Sequence, residues 1–396
     1  ASSNQCGKVW LTVSSLWRPI ATNNKVVDAE LEVNWDLDCP GNTIKPQLTL
    51  LLAEHPRGYY RTNITVGRPP LPGGWDEGGG ATLPGPHCLK HHAALYKNGE
   101  FLTSSCLQIW PTWIYSKHDI PRYSCTLMIP GTHNSGCYKH GDLTRRDAFQ
   151  RYLLTQDRDV WTQLVHGIRY LDIRVGYYPS IPRNNTFVEE SNYVNRFWVN
   201  HDIVRITPLM TIIKDVRNFL DVARGEVVIL DFHRFPVGFE GRPSRHRRLA
   251  SILHREFGGL ILRPDRGVDG LGPTLNDIWT VGRRLVICYG DKKTEQLTTN
   301  PLWAVMAELT PIPLDIMLKP SGGLRQMADS INRNLTIWFQ DEWWKQTNIV
   351  ATDFFLGNNL IDVSIQSNIK KINSLNGNYV NIVPSLIQFV KIFSNY

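Results

Sequence analysis

Within residues 118–396, short apolar runs keep ending on ionisable or amide side chains. The first is Met128-Ile129-Pro130-Gly131-Thr132-His133-Asn134-Ser135-Gly136. Thr126–Ile129 reads as a buried strand, Pro130-Gly131 as a turn signal, and a histidine is delivered where the strand stops. Later runs end on Asp172-Ile173-Arg174, on His201, on Asp231-Phe232-His233 and on Asp353. The expected strands are Ile168–Val175, Phe197–Val199, Val227–Phe232, Arg284–Tyr289, Leu335–Phe339 and Ile349–Thr352.

Helical stretches lie between these runs: 147–154, 157–166, 244–257 and 359–372. Another opens at Thr207-Pro208, with a cap followed by a proline at the first helical position, and carries Leu209, Ile212, Ile213, Val216, Phe219 and Leu220 on one face. Gly167 and Gly225 suit helix stops. Strands alternating with helices call for a parallel sheet. A barrel and a doubly wound open sheet both satisfy that pattern. Polar residues at successive strand ends favour the barrel, whose strands present their C-terminal ends at one mouth.

The first third follows a different rule. Val27, Ala29, Leu31, Val33 and Trp35 alternate with Asp28, Glu30, Glu32 and Asn34, the period of a strand with one wet face. Val9–Val13, Leu48–Leu52, Tyr59–Thr65 and Ala93–Tyr96 are further short strands, separated by turn-rich segments such as Gly67–Gly74. Ile109–Trp113 is either the last strand or a linker. Several short strands with Gly/Pro punctuation predict an antiparallel β-sandwich over 1–117. The remaining 118–396 is then long enough for an α/β TIM-type barrel, regular or irregular, which takes about 250 residues. Asp76 and Glu77 lack the regular ligand spacing of a calcium loop. His87, His91 and His92, with Cys88, fit no closed zinc spacing.

Composition bears on compartment and partner. Of the cysteines, Cys6, Cys39, Cys88 and Cys106 allow two disulfides in any of three pairings, Cys125 and Cys137 bracket the key strand, and Cys288 reads as a core thiol. Sequons begin at Asn63, Asn184 and Asn334. The start, Ala-Ser-Ser-Asn-Gln-Cys, looks like an end left by leader cleavage. Together these predict a secreted, disulfide-bonded glycoprotein. No run of eighteen apolar residues occurs, so no transmembrane helix is expected. A net charge of +7 without an interleaved aromatic and basic stripe favours an anionic membrane surface over nucleic acid. Arg245-His246-Arg247-Arg248 reads as a solvated helix face.

Pro130-Gly131-Thr132-His133-Asn134-Ser135, Gly167-Ile168-Arg169-Tyr170-Leu171-Asp172-Ile173-Arg174 and Asn200-His201-Asp202 resemble the X domain of phosphatidylinositol-specific phospholipase C. The likeness runs from about Ser124 to the C-terminus. It is closer to the metal-independent bacterial and X-domain-only members than to the calcium-dependent signalling enzymes. It implies a barrel, no cofactor or metal, and cleavage of phosphatidylinositol or its glycosylated anchors to diacylglycerol and inositol 1,2-cyclic phosphate. His133 would be the base, His201 the acid and Arg174 the phosphate contact. Asp172 would hold the arginine and Asp353 would orient the base.

The residue types suffice for this chemistry. Two imidazoles titrate near working pH, and a guanidinium matches phosphate bidentately. No serine or cysteine nucleophile is needed, because the attacking hydroxyl belongs to the substrate. Asn134, His233 and Asp231 are the expected substrate contacts. Tyr177, Tyr178, Trp343 and Trp344 are expected in rim loops, to stack on inositol or meet a lipid interface.

Two departures stand out. Asn134 replaces the aspartate of bacterial members, and His233 stands where they have a lysine. A metal-dependent phosphodiesterase resembling glycerophosphodiester phosphodiesterases or sphingomyelinase D, and a catalytically weak lipid- or protein-binding module, are the competing readings.

Overall fold

The computed structural model describes residues 7–16, 18–19, 26–27, 29–37, 47–48, 51–52, 57–66, 86–97, 99–116, 127–138, 150–179, 194–262, 274–290, 303–311, 322–375 and 390–391. Cys6, Cys39, Cys125, Asp76, Glu77, the Asn184 sequon and 147–149 lie outside them, and the rest of the helix expected over 147–154 is a single 3-10 turn, Gln150–Tyr152.

Five longer strands open the chain: β1 (Lys8–Val13), β2 (Glu30–Asp36), β3 (Arg57–Thr65), β4 (His87–Lys97) and β5 (Glu100–Ile109). β1, β2 and β3 form one antiparallel sheet. β4 and β5, with Gln47–Leu48 and Leu51–Leu52, form a second. Val9, Leu11, Val13, Leu31 and Trp35 from the first share a core with Leu89, Ala93, Leu95, Leu107 and Ile109 from the second. Cys88 and Cys106 are joined across β4 and β5. The run 109–113 ends β5 and continues into a helical turn, Trp113–Ser116.

The one wet face expected of β2 is not wet. Glu30, Glu32 and Asn34 are all buried, Glu32 at 0% exposure. The cover is a helix, α5 (Leu324–Asp341), whose Asp329 and Arg333 close an ion network with Glu32 and Arg61 of β3. Alternation located the polar face correctly; a charged neighbour replaced the solvent.

Among the described residues, seven parallel strands form the body of the second part. They are β6 (Ile129–Thr132), β7 (Tyr170–Tyr177), β10 (Val228–Val237), β11 (Leu285–Tyr289), β12 (Ala304–Ala307), β13 (Ile349–Thr352) and β14 (Val390–Lys391). Their order is β14-β12-β13-β6-β7-β10-β11, and among the described residues the two ends do not pair. The sheet is therefore a curled half-barrel. α1 (Val160–His166), α2 (Leu209–Val222), α3 (Pro243–Phe257), α4 (Leu275–Val281), α5 and α6 (Leu360–Leu375) fill the connections.

Local chemistry sets the boundaries. α1 starts where Asp159 accepts from the Thr162 N–H and stops at Gly167, whose φ of 125° an L side chain resists. The apolar stripe of α2 is buried as its spacing predicts. Leu335–Phe339 is helix, not strand, because it continues the buried stripe Leu324, Met327, Ala328, Ile331 of α5. Periodicity missed β12, a four-residue Ala/Val/Met run too short to show alternation, and the two-residue β14.

One further difference matters for the site. Phe197–His201 (β8) does not run parallel. It pairs antiparallel with the far half of β7 and turns at Asp202-Ile203 into β9 (Val204–Pro208).

Candidate active site

Register alone gathers the ionisable groups. Thr132 pairs with Leu171 and with Thr352, and Ala307 pairs with Thr352. The next residue of each strand is therefore in one row: Glu308, Asp353, His133 and Asp172. Asp172 pairs with Asp231, and Asp231 with Cys288, extending the row. Parallel strands put this row at the C-terminal mouth of the sheet. His201 arrives by a different route: β8 returns alongside β7 toward the level of Arg174.

The backbone around His133 is locked. Asn134 sits in the left-handed region at φ 43°, and its N–H donates to Asp172 Oδ2 at 3.0 Å. Gln156 Nε2 donates to the carbonyls of His133 and Thr352, both at 2.9 Å. Thr155 Oγ1 donates to the Asn134 carbonyl at 3.0 Å. Gln163 accepts from Thr132 and donates to the Ser135 carbonyl. Sequence reading missed both glutamines and Thr155, since polar residues in a loop and on a helix carry no strand-end signal.

The His133 ring lies between charges of both signs. Nδ1 is 2.8 Å from Asp353 Oδ1 and 3.1 Å from Glu308 Oε2. Nε2 is 2.7 Å from Arg174 Nη2, which also donates to Asp172 Oδ2 at 3.3 Å. Because a guanidinium can only donate, Nε2 is the acceptor and the ring proton sits on Nδ1, facing the carboxylates. Burial lowers His133 to about 4, with Glu308 opposing and Arg174 reinforcing. Burial pushes Asp353 up to about 8. Asp172 is held down at about 2: burial works against this, and Arg174 and His133 overcome it. His201 is lowered by burial; its Nδ1 donates to the Leu153 carbonyl at 2.9 Å, and the charge of His133 acts on it. His233 Nδ1 lies 3.4 Å from Asp231 Oδ2, which also accepts from Tyr170 at 2.6 Å. The charge of His233 is felt at both His133 and Asp172.

His133, Arg174, Asp172 and Asp353 are thus in direct contact, with His201, His233, Asp231 and Asn134 around them. Several donors and acceptors there are unsatisfied among the described residues: Arg174 Nε, Asp172 Oδ1, and both side-chain polar atoms of the fully buried Asn134. Trp343 and Trp344 are not brought to this mouth. They precede β13 and so lie at its opposite end, Trp343 against Trp338 and Phe339, and Trp344 beneath Lys345 and Lys370. The rim expectation failed because Leu335–Phe339 was read as a strand, which inverted the sense of the loop after it. Of the other rim aromatics, Tyr177 is buried against Phe197 and Tyr178 donates to the Ile203 carbonyl.

Among the described residues, two groups of side chains bring three metal-ligating atoms together. In one, Cys88 and Cys106 are consumed by their disulfide beside His92. In the other, His133, Glu308 and Asp353, Nδ1–H donates to Asp353 Oδ1, and Glu308 Oε2 lies 3.1 Å from the same nitrogen. Cys137 is a buried free thiol whose pKa burial raises, so it neither closes a loop nor serves as a nucleophile.

A half-barrel whose strand ends carry a histidine, an arginine and carboxylates has the groups that acid–base chemistry on an anion requires. No family model matches the chain. In sequence it is 25% identical over 224 residues to PI-PLC X domain-containing protein 1 of Mus musculus, covering 51% of this chain and 56% of that protein. It is 23% identical over 218 residues to the Homo sapiens protein of the same name, covering 50% and 58%. The chain thus spans just over half the length of the curated relatives it matches. Among solved structures it is similar to a phosphatidylinositol-specific phospholipase C from Listeria monocytogenes, at 18% identity and a TM-score of 0.45 over 66% of this chain and 98% of that one. The chain is a distant relative of the phosphatidylinositol-specific phospholipase C X-domain family.

Proposed function

We propose that the chain cleaves phosphatidylinositol, free or as a glycosylated anchor, in the manner of a phospholipase C. His133 Nε2 takes the proton of the inositol 2-hydroxyl as that oxygen bonds to phosphorus. The bond from phosphorus to the diacylglycerol oxygen breaks in line, and His201 returns a proton to the leaving oxygen. The products are diacylglycerol and inositol 1,2-cyclic phosphate. Each proton transfer is worth roughly 10²–10⁴-fold.

The observation that carries this reading is Arg174. It is a guanidinium at 9% exposure, with an unsatisfied Nε, standing 2.7 Å from the base nitrogen. A buried cation with a spare donor suits a phosphoryl oxygen. An arriving phosphate would draw the guanidinium onto itself and free Nε2 to accept the hydroxyl proton. Asp172 keeps Arg174 charged and aimed. Asn134, with its unpaired amide, and the His233–Asp231 pair are offered as contacts to inositol hydroxyls or phosphate.

The same guanidinium argues against a divalent cation in this space, since it would repel one. We therefore place the chain with the metal-independent type. We also propose that the N-terminal antiparallel sheets are a sandwich domain spanning 1–117, and that the protein is secreted and meets membranes transiently. No described helix is long and apolar enough to cross one.

Product analysis on phosphatidylinositol vesicles, with and without EDTA, tests the proposal. Chelator-insensitive release of inositol 1,2-cyclic phosphate, abolished by His133→Ala and by His201→Ala in folded protein, is expected. Loss of activity on chelation would favour the metal-dependent reading. Binding without turnover would favour a non-enzymatic module.

A further inference from the structure

We infer that the loop Leu153–Gln156 is the common support of the two imidazoles, and that Gln156 is a positioning residue for the base histidine and its aspartate. The inference rests on the lyase reading for its catalytic meaning and on geometry for its substance. The loop precedes α1 and belongs to no strand of the sheet. Its contacts nonetheless reach three strand ends of the mouth. Leu153 offers its carbonyl to His201 Nδ1 at 2.9 Å. Thr155 Oγ1 donates to the Asn134 carbonyl at 3.0 Å, and the Phe354 N–H donates to the Thr155 carbonyl at 2.8 Å. Gln156 spends both protons of one amide nitrogen on the His133 and Thr352 carbonyls, each at 2.9 Å. The loop is itself fastened beyond β6, where the N–H groups of Thr155 and Gln156 both donate to the Cys137 carbonyl.

The residues it grips are strained. Asn134 directly follows the base and Phe354 directly follows Asp353, and both are left-handed, at φ 43° and 47°. An L side chain resists that region and stays there only where its surroundings hold it. Pairing of β6 with β13 ends at Thr132 and Thr352, closed by the bond from the His133 N–H to the Thr352 carbonyl at 3.0 Å. Beyond that point the loop, tied to both left-handed residues through Thr155, helps keep His133 Nδ1 within 2.8 Å of Asp353 Oδ1. Thr155 and Gln156 are fully buried, so bulk water does not compete for their donors. The same loop orients the acid: with Nδ1–H spent on the Leu153 carbonyl, His201 presents Nε2 for the transfer.

Gln156→Met fills nearly the same volume and removes both donors. In the full chain it is expected to lower kcat on phosphatidylinositol vesicles about 10²-fold with little change in KM, the cost of a misplaced catalytic group. Thr155→Val removes a single donor and should lower kcat about tenfold. Asn368→Leu is the control for stability. Asn368 is equally buried and pairs with the Met128 N–H and carbonyl, at the end of β6 away from the mouth. It should lower the denaturation midpoint and leave kcat unchanged.

The same comparison is read without substrate from the imidazole N–H resonance of His133 in the full-length protein. Gln156→Met should move that resonance and speed its exchange with solvent, while Asn368→Leu leaves it in place. A near-normal kcat in Gln156→Met, or a loss matched by Asn368→Leu at equal destabilisation, overturns the inference. Should Gln156→Met not fold, Thr155→Val is read in the same way and the same outcomes decide. If wild-type protein releases no inositol phosphate, the lyase reading fails. The His133 resonance then still decides whether the loop holds the ring, and an unmoved resonance overturns that too.

Discussion

Replacing Arg169 by Met should be among the most damaging single changes in the chain, and for reasons remote from the mouth. Arg169 is fully buried and spends all five N–H donors. Nε donates to Glu226 at 2.7 Å, Nη1 to the Leu164 and Ile168 carbonyls, and Nη2 to the Trp110 and Pro111 carbonyls. Glu226, also buried, otherwise accepts from the Tyr115 N–H at 2.8 Å. Methionine fills much of the volume but removes the counter-charge of a buried carboxylate and the arginine donors of four carbonyls. Breaking a buried pair in this way costs about 3–5 kcal/mol, a large share of the roughly 5–15 kcal/mol that holds a protein folded.

The cost should depend on pH with a definite sign. Burial already raises the Glu226 pKa against the pull of Arg169. Without the arginine the native state holds that proton to higher pH than the unfolded chain does. Stability of the variant therefore falls relative to wild type as pH rises above the ordinary glutamate value of 4.5. Chemical denaturation followed by tryptophan fluorescence, from pH 4.5 to 8, measures this. The double variant Arg169→Met/Glu226→Gln should recover part of the loss and flatten the pH dependence. A single variant that loses under about 1 kcal/mol at pH 7, or whose loss does not vary with pH, would refute the reasoning.

Arg174→Lys keeps the charge but loses the planar fork that touches His133 and Asp172 together; vesicle turnover should fall by about 10²–10³-fold, the range for one lost preorganised donor, and a near-normal rate would remove Arg174 from the phosphate. Asp215→Asn acts on stability alone. Burial, with Asp159 nearby, raises Asp215 to about 7, so the native wild type retains a proton that the unfolded chain has released. Its stability is eroded as pH rises from about 4 to 7, and the asparagine variant escapes this. Melting curves should show no advantage at pH 4 and a gain on the order of 2 kcal/mol at pH 8, after allowing for the carboxyl's partial exposure.

What could be read from sequence was whatever a single strand announces at its own end. His133, Asp172, Arg174 and Asp353 each close or follow an apolar run, and the register brings all four into contact. Glu308 obeys the same rule, yet its strand is four residues long with valine as its one β-branched member, so the run did not read as one. His201 was correctly singled out, but its direction was not legible. Only pairing reveals that β8 returns antiparallel to β7 across a long connection. Trp343 and Trp344 show the opposite failure: composition suggested a rim, and the helical state of the preceding residues put them at the other end of the sheet. In the N-terminal third the alternation of β2 was plain, while the cover on its polar side came from a helix some three hundred residues later.

That cover ties distant parts of the molecule together. On α5, Asn332 donates to the backbone carbonyls of Asp353 and Phe354, and the residues flanking it, Asp329 and Arg333, are pinned to Glu32 and Arg61. Ser14 and Ser15 grip the same helix through Asp329 and Arg325. Trimming the chain at residue 117 to obtain a minimal barrel would strip the counter-ions from a helix that braces the carboxyl group behind the base. The leading strands are thus a remote buttress of the mouth, and a truncated protein with reduced turnover would say more about that brace than about any separate task of its first hundred residues.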